Sequence, residues 1–223
     1  MEDTWNLIRQ GGPTMVPLLI CSVLAVAVTL ERLWALRRRR VLPEPLVSRV
    51  RAFPEPGDPA GLVEEAERAP GPLAAVVLAV LEAPPHEREL AVEKVQAAGR
   101  RAVRQLDRGL LVLEIVAAIS PLLGLFGTVL GMFSTFQVIA EQGLGDPGAL
   151  SGGISEALVT TIFGLGIAIP TVVAQGYLSR RVDDLVVEIE EHGEHLLTRL
   201  YPHAPPAPAE PERVHLAAGE RER

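Results

Sequence analysis

The chain has 223 residues, of which 48% are hydrophobic and 22% charged, with a formal net charge of −7 and a mean hydropathy of +0.25. It is more apolar than a charge-rich soluble domain, and an acidic chain without a clustered basic face is not a nucleic-acid binder. A lone cysteine, Cys21 in an apolar run, excludes an intramolecular disulfide framework and a cysteine-based zinc site.

A helix rises about 1.5 Å per residue, so roughly 20 uncharged residues cross a hydrocarbon core about 30 Å thick. The first such stretch covers residues 12–30. Ahead of it stand Glu2, Asp3 and a single Arg9, and behind it Arg37, Arg38, Arg39 and Arg40. A cleaved signal has the opposite order, so this run is an uncleaved anchor. Residues 1–36 are thus expected to form a periplasmic N-terminus and span one.

Residues 37–108 are expected to form a cytoplasmic helical loop. Pro43, Pro45, Pro54, Pro56, Pro59, Pro70, Pro72, Pro84 and Pro85 cut it into short pieces. The apolar stretch 72–81 is too short for a span and suits a packed helix. After Pro85, the positions Val92, Val95, Ala98, Ala102, Leu106 and Leu110 mark one helix face that leads into the next span. Unbroken, a helix over 86–139 would be about 80 Å long; Gly99 and Gly109 permit a bend.

Span two, 109–140, carries no charge over 115–139. Ser120, Gly124, Gly127 and Gly131, with Pro121 beside them, form the kind of small-residue row by which membrane helices approach closely. Thr128 and Thr135 either satisfy backbone carbonyls or line a polar path. A periplasmic loop, 141–149, joins it to span three, 150–178, which one charge interrupts: Glu156. The uncharged run that follows covers about 34 Å, which puts Glu156 in the outer part of the span or just above it. An ionised carboxylate there costs a few kcal/mol unless hydrated or paired; it belongs either to an ion path or to the headgroup region. At about 100° per residue Thr160 lies about 40° from Glu156, Phe163 and Ile167 about 20°, and Thr161 about 140°. Pro170 has no amide hydrogen for the Gly166 carbonyl, which permits a kink; Thr171 and Gln175 add polar groups further on.

Beyond the span, a cytoplasmic helix over 179–201 carries the stripe Val182, Leu185, Val186, Ile189, Leu196, Leu197 and Leu200, a seam that calls for a partner, either the helix before span two or a neighbouring subunit; a narrow stripe on a projecting helix favours oligomerisation over packing within the chain alone. The tail, 202–223, reads as disordered. Arginines flank all three spans on one side, which places the N-terminus outside and the C-terminus inside. The five histidines show no ligand spacing and no phosphate-cradling loop follows a strand. No enzyme, cofactor or metal centre is expected. Energy would then come from a partner or an ion gradient, worth about 2.3 kcal/mol per charge per 100 mV.

Three motifs occur in order: Pro17, Leu18 and Leu19 followed by Glu31 and Arg32; PLLGLFGTVLGM over 121–132; and GISEALVTTIFGLGIAIP over 153–170. Together they resemble the three spans of the ExbB/TolQ branch of the MotA/TolQ/ExbB proton channel family. The resemblance implies an all-α inner-membrane protein with two long cytoplasmic helical extensions, assembled as a homopentameric ring. The ring would surround a single-span ExbD/TolR-like partner with a membrane aspartate, and would drive a TonB- or TolA-like protein in envelope transport or maintenance. By the same resemblance Glu156, Thr128 and Thr161 match polar pore residues, whereas the helical wheel favours Thr160 beside Glu156. The alternatives are a non-conducting membrane scaffold, for which Glu156 is dispensable, a flagellar-stator relative of the MotA kind, expected to have four spans, and a solute transporter. The last has little to build on, with one intramembrane carboxyl and no inverted repeat.

Overall fold

The computed structural model describes residues 12–54, 59–84, 87–142 and 147–202. The expected tail beyond 202, the N-terminal segment up to residue 11 and the middle of the expected periplasmic loop lie outside them. Every element described is helical: α1 (Met15–Ala35), α2 (Arg38–Val41), α3 (Glu44–Arg51), α4 (Ala60–Arg68), α5 (Pro72–Leu81), α6 (Arg88–Asp107), α7 (Leu110–Gln142) and α8 (Pro147–Leu200). Three of these, α1, α7 and α8, are long and apolar enough to cross a membrane. Their outward faces carry bare apolar side chains such as Ile20, Val23, Leu122, Phe133, Ile162 and Ile169, an extent of exposed apolar surface that marks contact with a bilayer or with neighbouring subunits.

The expected helix over 86–139 is broken in two. Arg108 takes an extended conformation at ψ 124° and Gly109 sits at φ +95°, in the left-handed region that glycine enters without a Cβ penalty. The stripe on α6 therefore meets α7 through an elbow. On the other side α8 runs unbroken for 54 residues, about 80 Å, through Pro170 and out of the membrane into a bundle formed with α2 to α6.

That bundle has a core of its own. Leu42, Leu46, Val50, Leu73, Val77 and Val80 are fully buried, as are Leu185, Ile189 and Leu196 of the α8 stripe, at no more than 2% exposure. The short helix α5 is apolar on nearly every face because it lies at the centre, enclosed by α4, α6 and α8. Polar ties fix the end of α8: Tyr201 Oη donates to the Ala83 carbonyl at 2.7 Å, and Arg199 Nη1 donates to the Phe53 carbonyl at 2.6 Å. Higher up, Arg38 pairs with Glu188 at 2.7 Å, and its guanidinium holds the Glu188 carboxyl below the usual carboxylate range.

Among the buried residues of the bundle, His192 titrates nearest neutral pH. His192 is 6% exposed, and its Nε2 has no hydrogen-bond partner among the described residues. Burial and the Arg51 charge push its pKa below 6.5, against the opposing pull of Glu188 and Glu191. A depressed histidine pKa means that the unfolded chain takes up the proton first, so stability is full above about pH 6.5 and falls as the pH drops below it. The thermal midpoint of the purified protein is therefore expected to fall between pH 7.5 and 5.5, and His192→Leu to flatten that slope. Glu188 acts in a separate window, below its ordinary value of 4.5. An unchanged slope in the variant would remove His192 from the account.

Candidate functional site

The small residues of α7 meet a matching row on α8. Antiparallel to one another, Ser120, Gly124, Gly127, Gly131 and Thr135 face Gly164, Thr160, Ala157 and Gly153. A Cβ on Gly164 would come within 2.7 Å of the Ser120 carbonyl oxygen, one on Gly124 within 3.0 Å of the Thr160 carbonyl oxygen, and one on Gly131 within 2.9 Å of that of Gly153. The backbones touch, which is what small-residue rows achieve where lipid offers no hydrophobic drive between helices.

Hydroxyls in this hairpin are engaged with carbonyl oxygens. Ser120 Oγ donates to Val116 O at 2.7 Å, Thr135 to Gly131 O at 2.9 Å and Thr128 to Leu125 O at 2.6 Å. Thr160 Oγ1 lies 2.8 Å from Ala157 O and 3.3 Å from Gly124 O. Thr161 Oγ1 reaches the same Gly124 oxygen at 3.2 Å. Both threonines thus converge on one carbonyl of the facing helix, but their exposure differs. Thr160 is wholly buried against Gly127, whereas Thr161 sits half-buried at the margin of the seam.

The two margins of the hairpin are unlike. Along one, α1 packs through Met15, Leu18, Leu19 and Ser22 against Phe163 and Ile167, around a cavity of about 90 Å³. Glu156 belongs to this margin. Its carboxylate lies on Gly12, which has φ +63° at the head of α1, and any side chain at position 12 would overlap it. The other margin carries Thr161, about 140° around α8 from Glu156, and Thr128, one turn beyond Gly124 on α7. Because the helices run antiparallel, both threonines project to the same side, away from α1.

Of the residues marked out by sequence, the protomer therefore gathers Thr160, Thr161, Gly124 and Gly127 and sets Thr128 beside them. It holds Glu156 apart. Pro121 and Pro170 both lie inside continuous helices; Pro170 lines a groove of about 260 Å³ shared with Ser22, Ala25 and Thr29 of α1. The α8 half of the seam, Gly153, Ala157, Thr160 and Gly164, recurs at three- and four-residue steps in the sequence, but the residue that stands out there is the charged Glu156, on another face. Gly12 offered no signal, since its role depends on a residue far along the chain.

The sequence model of the MotA/TolQ/ExbB proton channel family matches residues 68–191. This chain belongs to that family. The match takes in both threonines and Glu156, and it reaches back to residue 68, into the loop region where no motif stood out. Among its relatives, biopolymer transport protein exbB1 of Vibrio cholerae is 31% identical over 194 residues, covering 85% of each chain. The ExbB-like 3 protein of Synechocystis sp. is 33% identical over 166 residues, 72% of this chain and 78% of its own. An ExbB homologue of Methanothermobacter thermautotrophicus is 27% identical over 186 residues, 83% of this chain and 66% of its own. With its three apolar helices, this member of the MotA/TolQ/ExbB family is a multi-pass inner-membrane protein and an energy-transducing subunit of the ExbB kind.

Proposed function

We propose that the chain is the proton-channel subunit of an inner-membrane motor, with its N-terminus periplasmic and its C-terminal bundle cytoplasmic. Five copies would form a ring around the span of an ExbD/TolR-like partner, whose membrane aspartate exchanges protons, with output to a TonB- or TolA-like protein. The observation that carries this reading is the placement of Thr128 and Thr161 on the hairpin margin that α1 leaves open. A ring with α1 outermost turns that margin inward, where two hydroxyls give a proton-bearing carboxyl on the partner polar groups to pass. Each proton crossing releases about 2.3 kcal/mol per 100 mV. Neutralising the aspartate allows the partner to turn or shift against an otherwise apolar wall.

For Glu156 the contact with Gly12 favours a second role. A carboxylate at the head of α1 lies at the positive end of that helix, so it would fix span one against span three as well as set the field at the channel mouth. The test of the motor is co-purification of tagged protein from native membranes in mild detergent, followed by native mass spectrometry. A ring carrying a single-span, aspartate-bearing partner supports the proposal. A partnerless species, in a detergent that preserves other membrane complexes, leaves the scaffold.

A further inference from the structure

Where α1 ends and α7 begins, a cavity of about 370 Å³ opens between the last turn of α1, the Arg40–Val41 step, Pro70 and Pro72, and the end of α6. Three guanidinium groups line it, from three separate elements: Arg32, Arg40 and Arg108. Arg32 is fixed. It binds Glu31 through Nε at 2.5 Å and Nη2 at 2.6 Å, its Nη1 lies 3.5 Å from the Leu106 carbonyl oxygen, and Gly109 packs against its side chain. Arg40 is fixed differently, with its guanidinium 3.4 Å from the Trp34 ring centroid. Stacking of this kind occupies the planar face and leaves the N–H edges for an acceptor. Arg108 adds a third positive charge to the lining. Among the described residues the lining contains no acidic residue, and Glu31 is bonded to Arg32, so the lining carries a net positive charge.

Rules of membrane topology explain why arginines stand on this side of the bilayer. They do not explain why residues 32, 40 and 108 converge on one hollow. The location narrows the ligand. Trp34 is 53% exposed on the last turn of a span, the level of the headgroups where tryptophan collects. Leu36, Val41 and Leu106 give the hollow an apolar wall. We propose that this cavity binds the phosphate of an anionic glycerophospholipid from the leaflet on the bundle's side. The guanidinium edges of Arg40 and Arg108 hold its oxygens, charge-assisted and in the paired geometry that arginine offers phosphate. Because the same hollow adjoins the Gly109 elbow, a seated lipid ties α1 to the junction of α6 and α7.

The test presents the full-length protein, purified in detergent, with equal amounts of phosphatidylglycerol and phosphatidylcholine and reads retained lipid by native mass spectrometry. Wild type is expected to retain the anionic lipid at least about five-fold over the zwitterionic one. R40Q/R108Q should bring the ratio to parity, and R37Q/R39Q, outside the cavity, should leave it unchanged. R40K/R108K, which keeps the charge, should retain part of the preference. An independent reading is the thermal midpoint of wild type in nanodiscs, expected to rise with phosphatidylglycerol and not with phosphatidylcholine; it stands even if R40Q/R108Q does not fold. Parity in wild type, equal loss in R37Q/R39Q, or an unmoved midpoint would overturn the proposal. So would release of the lipid by excess inorganic phosphate, which would assign the cavity to a soluble anion.

Discussion

Gly164→Leu is expected to destroy the α7–α8 hairpin. A Cβ at 164 already lies 2.7 Å from the Ser120 carbonyl oxygen and 3.0 Å from Gly124 Cα; both neighbours are backbone, so no rotamer change relieves the overlap. Overpacking costs about 1–3 kcal/mol where side chains can shift, and here a whole helix must move, so the cost lies at or above about 3 kcal/mol. Moving α8 outward also strips the contacts of Thr160 and Thr161 with Gly124. The measurement is the yield and thermal midpoint of detergent-purified protein, with Gly176→Leu as control, since a Cβ on Gly176 meets nothing within 4 Å. Equal behaviour of the two variants would show that the backbone contact does not hold the spans together.

The second large effect concerns function. Thr161→Val, in the protein reconstituted with the proposed ExbD/TolR-like partner, is expected to lower proton flux at least about ten-fold, the effect of roughly 1.4 kcal/mol on a barrier. The structural loss is modest, because the bond to Gly124 O at 3.2 Å is worth about 0.5–1.5 kcal/mol. The variant should therefore still fold and assemble. Thr161→Ser restores the hydroxyl and should restore most of the flux, whereas Thr160→Val, altered inside the seam, should act through stability first. Flux is read with a pH-sensitive dye in proteoliposomes under an imposed gradient. Undiminished flux in Thr161→Val would remove this hydroxyl from the path.

What could be read in advance follows from the range of each signal. The three apolar helices were legible because lipid solvation imposes a local requirement: a long run without charge. The row from Ser120 to Gly131 was legible for the same reason, its spacing being a property of one helix. The break at Gly109 was visible only as an option, since the choice between a continuous helix and a left-handed turn is settled by contacts with Arg32 and Val28, far away in sequence. The helical wheel groups Glu156 with Phe163 and Ile167 and sets Thr161 apart. It could not say what each face meets. That the Glu156 face meets α1 and Gly12, and that Thr160 ends in the seam, depends on how three helices pack, which no periodicity encodes.

The contrast between the two legs that descend from the membrane has a mechanical consequence. One leg, α6 and α7, is jointed at Gly109; the other, α8, is a single shaft about 80 Å long. Torque applied to the membrane section of the jointed leg can dissipate at its elbow. Applied to α8, it meets no joint before the bundle, where Glu188 ties the shaft to α2 and, further down, Arg199 and Tyr201 tie its end to the Phe53 turn after α3 and to the Ala83 carbonyl after α5. Of the two legs, α8 is thus the one that reaches the bundle with no joint between its membrane section and its far end.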